Sequence, residues 1–182
     1  MIDAVPPSDR NLVLTGYLGP NQLVVVRRIA ERLGMPFVNY EARLEARADL
    51  PIEDIRIRYG TARLKTLEAE VIDEMLLYRG AVLLISGETL LHGDYLSRLT
   101  ETGVVLCLVA TLDAVLQRLH LALGGRYHNP AERAVALGNL KREWSVRKLP
   151  GVQEFDTTSM SESDVVDTIT ALWREQTMVM RG

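Results

Sequence analysis

The chain holds a single cysteine, Cys107, among 182 residues, so no disulfide and no cysteine-based metal site can form within one copy. Its neighbours in VVLCLVA are apolar, and the thiol is expected to be buried and unreactive. No apolar run approaches the roughly 20 residues that a membrane-crossing helix needs. The first ten residues, MIDAVPPSDR, lack the apolar centre of a secretory signal and read as a loose tail, which points to the cytoplasm. Basic residues are not in excess. The formal charge is −3, which argues against a general binder of nucleic acid or of anionic membranes. His92, His120 and His128 show no ligand spacing and are expected at the surface or in a flap, leaving no metal site. Ser86-Gly87 and Ser145 lack the context of a nucleophile elbow.

What the sequence has in quantity is alternation. Strand-like apolar runs at Leu12–Thr15, Pro36–Tyr40, Ala81–Ser86, Val104–Val109 and Val152–Phe155 are separated by segments of helical period. Near-continuously apolar strands of this kind predict a five-stranded parallel sheet between two layers of helices, an α/β fold. One domain over residues 11–182 is expected. The first helix carries Leu23, Val26, Ala30 and Leu33 on one stripe and ends at Gly34. A second, over Thr61–Arg79, sets Leu64, Leu67, Val71, Met75 and Tyr78 towards the core and Glu68, Glu70, Asp73 and Glu74 towards solvent. Further helices are predicted at Asp94–Glu101, Leu112–Leu123 and Ser161–Gln176. Trp144 and Trp173 fall in helical patterns and are expected in the core. Between the last two helices GGRYHNPAER, from Gly124, reads as a glycine-hinged flap reaching about residue 135.

The first strand runs into LTGYLGPNQLVVV, the layout of a phosphate-binding loop. The pattern G-x-x-x-x-G-K-[ST] works through amides that face phosphates, a lysine that neutralises them and a hydroxyl for magnesium. Gly16 fills the first position, but Asn21, Gln22 and Leu23 stand where the second glycine, lysine and hydroxyl belong. Pro20 lacks an amide donor and restricts Gly19. A lysine charge about 4 Å from a phosphate oxygen would supply on the order of 4 kcal/mol of unscreened attraction at an effective dielectric near 20. The same residues also suit a plain strand-to-helix turn with proline in the first helical turn. Either way the helix N-terminus attracts an anion weakly.

Taken with AERLGMPFVNYEARLE, YGTARLKTLEAEVIDEML, RGAVLLISGETLL and the flap, this turn resembles the shikimate kinases, relatives of the nucleoside monophosphate kinases, from Asn11 to about Trp173. The resemblance implies a P-loop kinase architecture with a moving lid, and transfer of the γ-phosphoryl group of ATP, with magnesium, to a hydroxyl of shikimate. On the nucleotide side it implicates Gly16, Gly19, Asn21 and Gln22, with Arg118 against adenine and Arg126 as the lid arginine. On the substrate side it implicates Glu41, the surviving carboxylate of an Asp-x-Asp that here reads Asn39-Tyr40-Glu41, together with Lys65, Gly87 and Arg142, or Arg147 if the loop is gapped differently. Glu88 replaces a family glycine and has the wrong sign for the carboxylate of shikimate.

Because nucleotide, metal and substrate positions all depart from the pattern, the residues favour an inactive pseudokinase. Such a chain would act as a binding or scaffold subunit with a protein partner or as a homo-oligomer, with a small anionic ligand as a further option. The alternative is an active ATP-dependent kinase of shikimate or a related metabolite with an unorthodox loop and Glu41 as base.

Overall fold

The computed structural model describes residues 9–179. Five parallel strands, β1 (Asn11–Gly16), β2 (Phe37–Asn39), β3 (Val82–Leu84), β4 (Gly103–Val109) and β5 (Val152–Asp156), form one sheet in the order β2-β3-β1-β4-β5. The register pairs Leu12 with Val82 on one side and with Val104 on the other. All six residues of β1 are buried, as the central strand of a sheet covered on both faces must be.

Side chains alternate along the strands and divide the core in two. Leu12, Leu14, Leu106 and Leu108 pack with Val25, Val26 and Ile29 of α1 (Gln22–Leu33) and with Val165, Ile169 and Trp173 of α8 (Glu162–Val179). Val13, Leu83, Val105 and Cys107 pack on the opposite face with Leu67, Val71 and Met75 of α3 (Ile52–Met75) and with Leu99 of α5 (Tyr95–Thr102). Each fully buried leucine contributes roughly 1.5–3 kcal/mol. Burial also pushes the Cys107 thiol up to about 12, which keeps it protonated and inert. The remaining helices are α2 (Tyr40–Ala48), the short α4 (Gly87–Leu90), α6 (Leu112–Leu123) and α7 (Pro130–Glu143).

Several local expectations change. The buried stripe of α1 is Val25, Val26, Ile29 and Ala30, so Leu23, expected inside, is 40% exposed. The helix expected from Thr61 begins at Ile52 and is broken at Gly60, whose φ of 77° and ψ of 174° interrupt the helical path. Its end at Met75 leaves Tyr78 beyond the helix, where its carbonyl accepts from Asn11. Glu68, assigned to a solvated face, is only 8% exposed and lies 3.1 Å from Nδ1 of His92.

The segment read as a flap over 124–135 folds as a 3-10 turn, Gly124–His128, followed by the first turns of α7. Asn129 caps that helix by accepting from the Ala131 amide, and Pro130 occupies its first turn, where a missing donor costs little. The expected N-terminal tail lies outside the described residues over its first eight positions. At its other end Asp9 accepts from the Gly80 amide and Arg10 donates to the Gly103 carbonyl, so these two residues are tied to the sheet. No helix among the described residues is long and apolar enough to cross a membrane.

Candidate active site

A cleft of about 720 Å³ opens over the carboxyl ends of the strands, where open α/β sheets place their ligands. One end is the turn from Gly16 to Leu23. The other is built by Asn39, Tyr40 and Glu41 at the end of β2, Ser86 and Glu88 after β3, the first part of α3, and Arg142 and Glu143 at the end of α7.

The turn is held by the chain's own side chains. Gln22 donates from Nε2 to the Gly16 carbonyl at 2.9 Å and accepts the Leu18 amide at 2.9 Å. The Trp144 indole donates to the carbonyls of Tyr17 and Leu108, at 3.0 and 3.1 Å. Gly16 has φ +84°, and a Cβ there would stand 2.3 Å from the Leu108 carbonyl oxygen, so only glycine fits between β1 and β4. The amides of Gly19 and Asn21 have no partner among the described residues and remain available to an anion at the N-terminus of α1.

Arg118 donates to the Leu18 carbonyl, to Thr157 at both its hydroxyl and its carbonyl, and to the Met160 carbonyl. It fixes the turn to the loop after β5, and burial lowers its pKa. With Gly19, Pro20 and Asn21 it also borders a smaller recess of about 190 Å³ beside the turn. Asn21 donates to Glu162 at the start of α8.

At the opposite end Asn39 caps α2 by accepting from the Glu41 amide, Tyr40 is buried, and Glu41 lines the cleft. The Glu41 carboxyl is raised above the usual range, first by desolvation and then by Glu45 and Glu53. Glu41 is nevertheless an exposed residue, so water screens much of this shift. Glu143 accepts from the Ser86 hydroxyl at 2.8 Å and the Gly87 amide at 2.7 Å. It is still raised, because burial outweighs these two bonds.

Of the site residues expected from sequence, Gly16, Gly19, Gln22, Glu41 and Arg142 come together on the cleft. Three do not take the places expected. Lys65 is exposed and off the cleft, one position past the buried Leu64, and Arg56 lines the cleft instead. Arg126 is on the surface, paired with Glu132 at 3.1 Å. Gly87 offers no room to a substrate, because a Cβ there would stand 2.2 Å from the Glu143 carbonyl oxygen; the end of α7 fills that space. Arg147 pairs with Glu154, leaving Arg142, 3.8 Å from Glu88, as the arginine of this region on the cleft. Sequence reasoning missed Arg56, Tyr40 and Glu143. The period of Ile52, Ile55 and Tyr59 marks a helix that would have found Arg56, whereas nothing local to Glu143 announces its reach to β3.

The shikimate kinase family model matches residues 24–172. A shikimate kinase of Geobacter sulfurreducens is 31% identical over 176 residues, covering 94% of this chain and 95% of that one. The chain belongs to the shikimate kinase family. A shikimate kinase of Thermodesulfovibrio yellowstonii is 25% identical over 167 residues, 88% of this chain and 92% of its own. Among solved structures, the shikimate kinase of Acinetobacter baumannii in complex with shikimate superposes with a TM-score of 0.71 at 20% identity, covering 93% and 96% of the two chains. Family membership makes the chain a phosphotransferase with a hydroxyl acceptor, and it overturns the pseudokinase expectation. Relatives aligned over nearly their whole length are shikimate kinases, whereas the inactive reading weighed a few substituted positions.

Proposed function

We propose that the chain transfers the γ-phosphoryl group of ATP to a hydroxyl of shikimate or a related small metabolite. The observation that carries this reading is the continuous cleft that joins the Gly16–Leu23 turn to Glu41, in a chain whose relatives perform such transfers. The nucleotide phosphates would lie at the free amides of Gly19 and Asn21 and the positive end of α1. Gln22 supplies a neutral donor where the family has a lysine.

The acceptor oxygen attacks the γ-phosphorus in line, the bond to the β-γ bridging oxygen breaks, and ADP departs with that electron pair. Glu41 takes the hydroxyl proton as general base. Its raised pKa brings it closer to the operating pH, which favours that role. Leu23 has no oxygen to offer, and no three acidic, histidine or cysteine side chains converge among the described residues. Any magnesium would be held chiefly by the phosphates of the nucleotide and by water, with at most one or two carboxylates of the cleft.

The test is release of ADP from ATP in the presence of shikimate and other hydroxyl acceptors, followed by mass analysis of the acceptor. Acceptor-dependent ADP with a matching phosphorylated product is expected. ADP formation that ignores every acceptor would overturn the reading.

A further inference from the structure

Two adjacent residues at the end of α7 reach opposite ends of the cleft, and the inference drawn from them rests on the transfer reaction proposed above. Glu143 turns towards β3. Its two carboxyl oxygens accept from the Ser86 hydroxyl at 2.8 Å and from the Gly87 amide at 2.7 Å. Its backbone packs so closely on Gly87 that a Cβ there would stand 2.2 Å from the Glu143 carbonyl oxygen. The flanking Ser86 and Glu88 both line the cleft, and Glu88 lies 3.8 Å from Arg142. Trp144 turns the other way. Its indole donates to the carbonyls of Tyr17 and Leu108 at 3.0 and 3.1 Å, and the Tyr17 amide donates to the same Leu108 carbonyl at 2.9 Å. These bonds hold the start of the turn, one residue past Gly16.

The segment that carries the pair is itself anchored on both sides. Leu140 is buried with Val115 and Leu119 of α6, Val146 is buried in the core shared by Val105 and Cys107, and Trp144 packs against both groups. Consecutive Cα atoms stand about 3.8 Å apart, so the two ends of the cleft are tied through one short, fixed link. In-line transfer depends on such a link, because a misplacement of about 1 Å can cost about 100-fold in rate.

We propose that Glu143 and Trp144 are paired positioning residues: Glu143 sets the acceptor site through Ser86 and Gly87, and Trp144 sets the nucleotide turn through Tyr17 and Leu108. Their adjacency fixes the spacing of the two substrates. Glu143 acts by reach rather than by charge. A glutamine of the same length can accept the Gly87 amide and donate to the Ser86 hydroxyl oxygen, whereas an aspartate keeps the charge but stops a methylene short.

The parent, Glu143→Asp, Glu143→Gln and Trp144→Phe are titrated by calorimetry with shikimate and, separately, with ATP and magnesium. The KM for each substrate is read in the ADP assay. Glu143→Asp is expected to weaken shikimate about tenfold, the scale of a lost hydrogen bond, with ATP within about twofold of the parent. Trp144→Phe keeps an aromatic ring in place but removes the indole N–H, and the reverse pattern is expected. Glu143→Gln should rescue the shikimate binding that Glu143→Asp loses. Equal weakening of both ligands by Glu143→Asp or Trp144→Phe, or parental shikimate binding by Glu143→Asp, overturns the proposal. Turnover by the parent without this split in KM leaves the transfer reading standing and removes the inference. The split in binding with no ADP from any acceptor supports the positioning roles and counts against the transfer reading. A parent that binds neither ligand overturns both.

Discussion

The two ends of the cleft treat their polar groups in opposite ways. At the Gly16–Leu23 turn, Gln22, Trp144 and Arg118 satisfy the carbonyls of Gly16, Tyr17 and Leu18, and Gln22 also takes the Leu18 amide. At the opposite end six glutamates and two arginines line the cleft, with Glu41, Glu45 and Glu53 exposed to solvent and the buried Tyr40 set beside Thr89 and Glu68. The contrast indicates that the turn is held by the chain's own side chains, while the opposite end leaves its carboxylates to solvent. Gln22, a neutral amide, ties two backbone groups of the turn at once.

The sharpest way to break this comparison is to remove the one carboxylate assigned to proton transfer. Glu41→Gln should lower kcat by roughly 10²–10⁴-fold in a steady-state ADP assay with little change in melting temperature. A similar kcat would remove Glu41 from the chemistry. With Glu41 as base, activity should fall as pH drops through its raised pKa, so the acid limb of the kcat/KM profile should lie above the ordinary carboxylate range.

At the turn, Gly16→Ala should be the most damaging change to stability. Its Cβ would stand 2.3 Å from the Leu108 carbonyl oxygen at a positive φ. A loss of about 3 kcal/mol or more is expected from strain of this kind, measured by chemical denaturation. Unchanged stability would mean the turn is looser than its hydrogen bonds imply.

The smallest effect belongs to Glu143, and its sign follows from linkage. Its folded-state pKa is raised, so its contribution to stability is greatest while protonated and is lost as pH rises through the folded-state value. Glu143→Gln should therefore melt a few degrees above the parent at pH 7, and this advantage should vanish as pH falls below the carboxylate range. An advantage independent of pH would assign the effect to packing rather than charge.

The sheet was legible because its strands are apolar almost without interruption, as in the six buried residues of β1 and the run that holds Cys107. Gly34, with φ +66°, ends α1 where a helix stop was expected. The α7 helix was harder to find. Its buried side is slight, with Leu140 its one fully buried residue, so glycine and polarity pointed to a flap while the Asn129-Pro130 start signal carried the opposite meaning. The site was legible where it follows strand ends, at Gly16 and Glu41. It was not legible where distant segments meet, since no local pattern sends Glu143 to Gly87 or Trp144 to Tyr17. The pseudokinase expectation judged nucleotide, metal and substrate positions one by one, and relatives aligned over nearly the whole chain overturn it.

The most direct test of the account is calorimetric titration of the parent chain and of Gln22→Lys with ATP in the presence of magnesium. If the turn remains a nucleotide site, the parent should give saturable binding that ADP competes, and the added charge should tighten it about tenfold or more, the equivalent of about 1.4 kcal/mol. Silence from both proteins at millimolar ATP would contradict the account and remove the turn from the reaction.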